Sequence, residues 1–595
     1  MSDLRGLAGR LRRNSGEALR LARTLPPGTL LKKLVGQPRR ALRRIFGGEP
    51  GEGEPYGPWL ERHRLAPARK RQIEDDIAGW RRRPRFSLLM PVYDPPAEFL
   101  RAAIASVRDQ VYPDWELCIA DDASTAPHVG DVLEEARSAD PRVKVTRLPA
   151  NRGISGASNA ALELATGEFV APVDHDDTLA PEALYAVACL LQRERDLDFL
   201  YTDHDMRDVA GRRFGPFFKP DWSPDLILTM NYITHFAVYR RALVSAVGGW
   251  REGLEGSQDH DLILRVAERT DRIGHVRLPL YSWVQAPSSI ARVPAAKPYA
   301  HAAGMRAIRD AVARRGIEGT VEEAYDALYR YRIRRRVAGE PLVSVVALPG
   351  AGGSSPGSLG RALAERTRYA RYEVVKPPVG VDRVQAGNEG AREARGEFLL
   401  FLSSDASPLA EDWLETLLGH AQRDEVGAVG ARLLGAEGAV RHAGYVVGTT
   451  GGALHAFWGF PADHPGYWDF ARVERNCSAV SGECLMMRRG EFLEAGGFDP
   501  SFADALADVD LCLRLGERGL RVVWTPHATL KLAVSREQAG PHAAAAESEA
   551  ARRFRRRWPS LFERGDPFYN PHLTRTGWDY GLAPTAGSTD DEVIF

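Results

Sequence analysis

From Phe86 onward, short apolar runs alternate with stretches in which apolar residues recur at helical spacing. Phe86–Val92 reads as a strand, Ala97–Gln110 as a helix, Glu116–Ala120 as a strand and Val129–Ser138 as a helix. A strand at Val143–Leu148, a helix at Ser155–Ala165 and a strand at Phe169–Val173 follow. Such alternation predicts right-handed βαβ units: an α/β fold with a mostly parallel sheet flanked by helices. In sheets of this kind ligands gather at the carboxyl ends of the strands.

The pattern then starts again at Leu342-Val-Ser-Val-Val-Ala-Leu348 and repeats its landmarks in order. Gly167-Glu-Phe-Val-Ala-Pro-Val-Asp174-His-Asp176-Asp177 has its echo in Gly396-Glu-Phe-Leu-Leu-Phe-Leu-Ser403-Ser-Asp405-Ala406. Asn159 matches Asn388, Gly248-Gly249-Trp250 matches Gly496-Gly497-Phe498, and Asp259-His-Asp261 matches Asp508-Val-Asp510. A period of about 240 residues is a duplicated domain, not a solenoid repeat. The predicted organisation is a basic segment over 1–46, a helical lead-in over 47–85, a first domain over 86–330 and a second over 340–575. A disordered acidic tail over 580–595 completes it.

Composition changes this picture only at the N-terminus. The chain has 595 residues, 44% hydrophobic and 27% charged, with a formal net charge of zero, so no global field points to nucleic acid. Five scattered cysteines without a Cys-x-x-Cys pair argue for a reducing compartment and against a zinc site. No apolar run approaches the roughly 18 residues of a membrane span, and no signal-peptide apolar region is recognisable. The expected location is the cytoplasm. Residues 1–46 carry Arg5, Arg10, Arg12, Arg13, Arg20, Arg23, Lys32 and Lys33 among others, with Leu4, Leu7, Leu11, Leu21 and Leu25 at helical spacing. One reading is peripheral contact with anionic lipid on the inner face of the cytoplasmic membrane; the other is a disordered basic arm.

The candidate chemistry lies in the carboxylates of the first copy. No Gly-x-Gly-x-x-Gly follows the first strand, where the turn is Pro91-Val92-Tyr93-Asp94, and phosphate-loop and serine-hydrolase signatures are absent. Asp121 and Asp122 close the second strand; they suit the N–H edge of a pyrimidine base, or simply a turn. Asp174, Asp176 and Asp177 repel one another unless a cation is near, which makes Asp176 the expected metal ligand, with Asp174 beside it. Asp259 opens an amphipathic helix, where an acid also serves as an N-cap.

Together with Met90-Pro-Val-Tyr93, Asn151-Arg-Gly-Ile-Ser155, Tyr201-Thr-Asp203-His-Asp205, Phe218-Lys-Pro-Asp-Trp222 and Gly256-Ser-Gln-Asp-His-Asp261, these residues carry a resemblance. The first copy resembles the family 2 glycosyltransferases of GT-A fold, in particular the bacterial polysaccharide and O-antigen subgroup. The second, with His442-Ala-Gly444 and Gly496-Gly-Phe-Asp499, resembles the further such domain often fused behind the first. The resemblance implies two tandem GT-A domains and an inverting, metal-dependent transfer from a nucleotide-diphospho-sugar, UDP- or dTDP-type, to a saccharide or lipid-linked saccharide. It implies Mg²⁺ or Mn²⁺ on Asp176 and Asp174 and Asp259 as catalytic base. Donor contacts are expected from Pro91, Tyr93, Asp121, Asp122, Arg152, Asn159 and Asp174, and acceptor-side contacts from Gln258, Asp261 and Trp283.

Two departures from the family pattern matter. Ala286 stands where the family commonly has a His able to complete the metal shell. The second copy has Lys376-Pro377-Pro378 in place of the base-binding acids, Ser403 and Ala406 in place of two carboxylates, and Leu532-Ala533 in place of a His pair. The second copy is therefore expected to be non-catalytic. A nucleotide-sugar-binding scaffold, or a transferase with both copies active, are the competing readings.

Overall fold

Strand β1 (Phe86–Val92) is buried at all seven positions, because helices cover the sheet on both faces and leave no polar side to alternate with. The computed structural model describes residues 56–285, 298–325, 327–350, 356–378, 380–502, 505–533 and 544–583, and all of them belong to one compact unit. The basic segment 1–46, Ala286 and residues 584–595 of the expected tail lie outside the described residues. Helices Tyr56–Arg62 and Pro67–Gly79 precede the first sheet.

In that sheet β1 is joined by β2 (Trp115–Asp121), β3 (Val143–Arg147), β4 (Phe169–Pro172), β5 (Thr178–Leu179), β6 (Phe199–Asp208), β7 (Arg213–Phe217), β8 (Ala237–Arg240) and β9 (Ile273–Gln285). The order is β3-β2-β1-β4-β8-β6-β9-β5, with β7 on β6. β3, β2, β1 and β4 run parallel, as do β6 and β9, while β8 is antiparallel to both its neighbours. The sheet thus has two parallel blocks separated by the antiparallel β8, with β5 and β7 antiparallel at its margins.

A hairpin of β10 (Gly319–Glu323) and β11 (Tyr331–Arg335) leads into the second copy. There β12 (Val343–Leu348), β13 (Tyr372–Val375), β14 (Phe398–Ser403), β15 (Ala406–Pro408) and β16 (Val426–Leu434) are followed by β17 (Val440–His442), β18 (Tyr445–Thr449), β19 (Gly452–His455), β20 (Arg475–Asn476), β21 (Cys484–Arg488) and β22 (Arg521–Leu532). Its order, β13-β12-β14-β21-β16-β22-β15, reproduces the first sheet with no counterpart of β3 among the described residues. The duplication inferred from the landmarks is therefore a duplication of topology.

The landmarks themselves are joints. Gly167 and Gly396 donate their N–H to the hydroxyls of Ser87 and Ser344 at 2.9 and 2.8 Å, and a Cβ on either would sit 2.7 and 2.6 Å from a backbone oxygen. Only glycine allows so close an approach. Asp510, like Asp261, is buried and paired with the Arg four residues on, whose guanidinium reaches back to the carbonyls of the double-glycine turn.

The two copies share a buried seam. Asp225 accepts from Arg423 at 2.5 Å and from Asn476 at 2.8 Å, and Arg335 stands 3.9 Å away. The chain then returns to the first copy: Asn570 donates to Asp203 at 3.0 Å, and the Trp59 indole donates to His572 at 3.3 Å. Tyr580, placed by the sequence at the start of a disordered tail, is instead buried on Phe457 and Tyr467. The acidic composition beyond it hid a ring that packs.

Candidate active site

The carboxyl ends of β1, β2 and β4 meet in one place. β1 runs into Tyr93, 48% exposed, and Asp94, whose carboxylate accepts from the backbone N–H groups of Thr125 and Ala126 at 2.8 Å each, tying the first loop to the second. Asp121 Oδ1 accepts from Ser124 N–H at 2.9 Å, and Asp122 Oδ1 from Arg152 N–H at 2.7 Å. Both acids are buried and hold the loops in shape. The Arg152 side chain turns to Glu252 at 2.5 Å.

Beyond β4 the acids gather around an imidazole. One donor atom each from Asp174, Asp177 and His235 lies within 4.8 Å of the others. His235 is buried, its Nε2 is 3.6 Å from Asp174 Oδ2, and its Nδ1 has no hydrogen-bond partner. Asp177 is held by Tyr281 Oη–H and Val284 N–H, both at 2.8 Å. Tyr281 also stacks on His235, with ring centroids 4.7 Å apart. Asp176, the expected metal ligand, does not belong to this group of three; Asp177 and His235 do. Burial, then Asp176, pushes Asp174 up to about 6, and the same two causes, with Asp174 added, push Asp177 well above the usual carboxylate range. Burial holds His235 down to about 4, so its ring is neutral and able to ligate.

Two oxygens and a neutral imidazole, one nitrogen unpartnered, fit a divalent cation, and the mutual repulsion of the acids is what such a charge relieves. His235 thus places an imidazole beside these acids. No local pattern marks it, because it sits at the head of β8, far along the chain from the acids it faces.

Asp259 stands within electrostatic reach of this group without belonging to it. It lies in the first turn of helix Gln258–Val266 but does not cap it: its oxygens accept from the Trp250 indole and the Gln258 amide, each at 3.2 Å. Burial raises its pKa, His235 lowers it and Asp174 raises it again, so the three groups feel one another. Trp283, two residues beyond Tyr281 on the same face of β9, meets His235 at 5.6 Å. Two expected contacts are committed elsewhere. Asn159 bridges the backbone of Trp250 at 2.7 and 2.9 Å, as Asn388 bridges Phe498, and Asp261 is enclosed by Arg251 and Arg265. An amide that closes a turn and a buried paired acid resemble site residues in sequence because both are polar landmarks beside the site.

A sequence model described as "Glycosyl transferase family 2" matches residues 87–248 and 352–489, one stretch in each copy. The chain belongs to glycosyl transferase family 2. Among family relatives, the "O-antigen biosynthesis protein RfbC" of Myxococcus xanthus is 39% identical over 578 residues, covering 91% of this chain and 44% of that protein. The "Uncharacterized protein y4gI" of Sinorhizobium fredii is 36% identical over 534 residues, covering 84% of this chain and 59% of that protein. The chain thus spans about half the length of these relatives. A solved structure, "S. aureus TarS 1-349 in complex with UDP-GlcNAc", aligns at 23% identity with a TM-score of 0.32, over 38% of this chain and 66% of that one. That score is too low to carry an inference.

Among the described residues, the second copy keeps the family frame without this cluster. Asp508, the counterpart of Asp259, accepts from Gly482 N–H at 2.7 Å and from Val509 N–H at 2.9 Å. Asp405 is buried against Gly350 so closely that a Cβ there would lie 2.3 Å from the carboxylate. Asp508 is thus used by the backbone around it.

Proposed function

We propose that the first copy is an inverting glycosyltransferase that moves a sugar from a UDP- or dTDP-type nucleotide-diphospho-sugar to a hydroxyl of a cell-surface polysaccharide precursor. The observation that carries this reading is the convergence of Asp174, Asp177, His235 and Asp259 at the carboxyl ends of the strands. Asp174, Asp177 and His235 would hold Mg²⁺ or Mn²⁺, with Asp176 adding negative charge beside them. The bound ion supplies charge neutralisation for the departing diphosphate. Asp259 takes the proton of the acceptor hydroxyl as its oxygen attacks the anomeric carbon and the bond to the diphosphate breaks on the opposite face. Its raised pKa strengthens it as a base, a contribution worth roughly 10²–10⁴-fold. The Trp250 and Gln258 donors fix the carboxylate's direction.

The nature of one relative, an O-antigen biosynthesis protein, supports the polysaccharide class of product. The second copy is read as non-catalytic, since Asp508 is bound by backbone N–H groups. Among the described residues no helix is long and apolar enough to cross a membrane. A cytoplasmic place, with segment 1–46 on anionic lipid, is proposed from its charge alone and is tested by vesicle co-sedimentation. The catalytic reading is tested by nucleotide diphosphate release from UDP-glucose, UDP-N-acetylglucosamine and dTDP-rhamnose, with Mn²⁺ or with chelator. Metal-dependent release supports it; no binding of any of the three by calorimetry favours a scaffold.

A further inference from the structure

The second copy sends one side chain to the edge of the first copy's site. Trp468 stacks on Phe217 with centroids 4.5 Å apart at 18°, and meets the His204 ring edge-on at 5.7 Å. His204 also meets Phe217 edge-on at 5.5 Å and stacks on Trp283 at 5.2 Å and 23°, and Trp283 in turn meets His235. The rings form an unbroken wall from the imidazole among the acids to the second copy. Its two largest members, Trp283 and Trp468, are only partly buried.

The turn that carries Trp468 is held in place at some expense. Trp468 and Asp469 both have left-handed backbones, with φ of 47° and 68°. A bulky residue there is strained and persists only where its surroundings enforce it. Those surroundings belong to the first copy and its linker. Arg330 pairs with Asp469 at 2.7 Å, and the Tyr467 hydroxyl accepts from Phe218 N–H at 2.9 Å and donates to Pro216 carbonyl at 3.2 Å. Apolar burial alone would not need this backbone, because Phe470 in the same turn already fills the core.

We infer that Trp468 of the second copy and Trp283 of the first form an aromatic platform for the acceptor saccharide, so that the non-catalytic copy determines which acceptor is used. The inference rests on the catalytic reading above for the direction of the acceptor. Sugar rings present flat C–H faces that pack on aromatic rings, while their hydroxyls stay hydrated at the rim. The donor end of the site is polar and acidic, whereas this wall is built of stacked aromatic rings. An uncharged saccharide is the ligand such a surface suits.

The test is calorimetric binding of methyl di- and trisaccharides of glucose, galactose and rhamnose to the full chain, beside binding of the three donors with Mn²⁺. Trp468→Leu keeps bulk and removes the ring, and Trp468→Phe keeps a ring. The expected result is about tenfold weaker saccharide binding for the Leu variant and a smaller loss for Phe, with donor affinity unchanged within twofold in both. Saccharide affinity equal to wild type in Trp468→Leu overturns the platform, as does a wild-type chain that binds none of the saccharides. A variant that loses donor and saccharide binding together also overturns it, because its role is then structural. Saccharide binding without donor turnover by the wild type leaves the platform standing and removes the catalytic reading instead.

Discussion

Replacing Asp225 by Ala should separate the two halves energetically. Asp225 is fully enclosed at the seam, with Arg423 at 2.5 Å and Arg335 at 3.9 Å. Burial alone would raise its pKa, but the two arginines outweigh it and hold the carboxyl below the usual range. Without it two buried guanidiniums face each other, and the Asn476 amide loses its acceptor. A pair of unit charges about 4 Å apart is worth about 4 kcal/mol at an effective dielectric constant of about 20. Breaking a buried pair from one side is observed to cost about 3–5 kcal/mol. Much of a domain's marginal stability would go. Urea unfolding followed by tryptophan fluorescence reads the loss directly. Arg423→Leu should cost a similar amount, and the double variant less than the sum, because neither charge is then left alone. A loss below about 1 kcal/mol for Asp225→Ala, the behaviour of an exposed pair, would refute the reading of the seam as a buried joint.

Removing the proposed imidazole ligand with His235→Ala should weaken Mn²⁺ binding roughly 10- to 100-fold by calorimetry, and Asp177→Asn should do the same, whereas Ala at Asp121 should not. Asn159→Ala should lower the unfolding midpoint, costing about 1–3 kcal/mol for the unsatisfied Trp250 backbone, while donor affinity stays as in wild type; Asn388→Ala should behave alike. Glu474 is buried, yet His420 beside it holds its carboxyl down to about 2, below its ordinary 4.5. Its contribution, of order 3 kcal/mol and shared with His420, is complete above pH 4.5 and disappears as pH falls toward 2, so Glu474→Gln should flatten the loss of stability across that window in acid titrations.

The alternation of apolar runs and helical stretches placed the first seven elements of the first copy to within a few residues, because β1, β2 and β4 are buried on both faces and so read as mostly apolar segments. The inserted antiparallel β8 was not legible: its four residues, Ala237–Arg240, look like any short apolar run, and direction is not encoded locally. At the site, Asp174 and Asp259 were legible because closely spaced acids at a strand end and an acid at a helix start are local patterns. His235 was not, since only the sheet's crossover brings it to the acids. Asn159 and Asp261 show the same limit from the other side. They recur in both copies at fixed spacing, but what repeats is the joint they make, and a joint and a ligand contact leave the same mark in one sequence.

The central claim is that one copy works and the other serves it. The direct measurement is steady-state transfer by the full chain carrying Asp259→Asn or Asp508→Asn, with donor binding checked by calorimetry. The account predicts a fall of about 10²–10⁴-fold for Asp259→Asn with donor still bound, and turnover within twofold of wild type for Asp508→Asn. Full activity in Asp259→Asn, or equal loss in both variants, would contradict it.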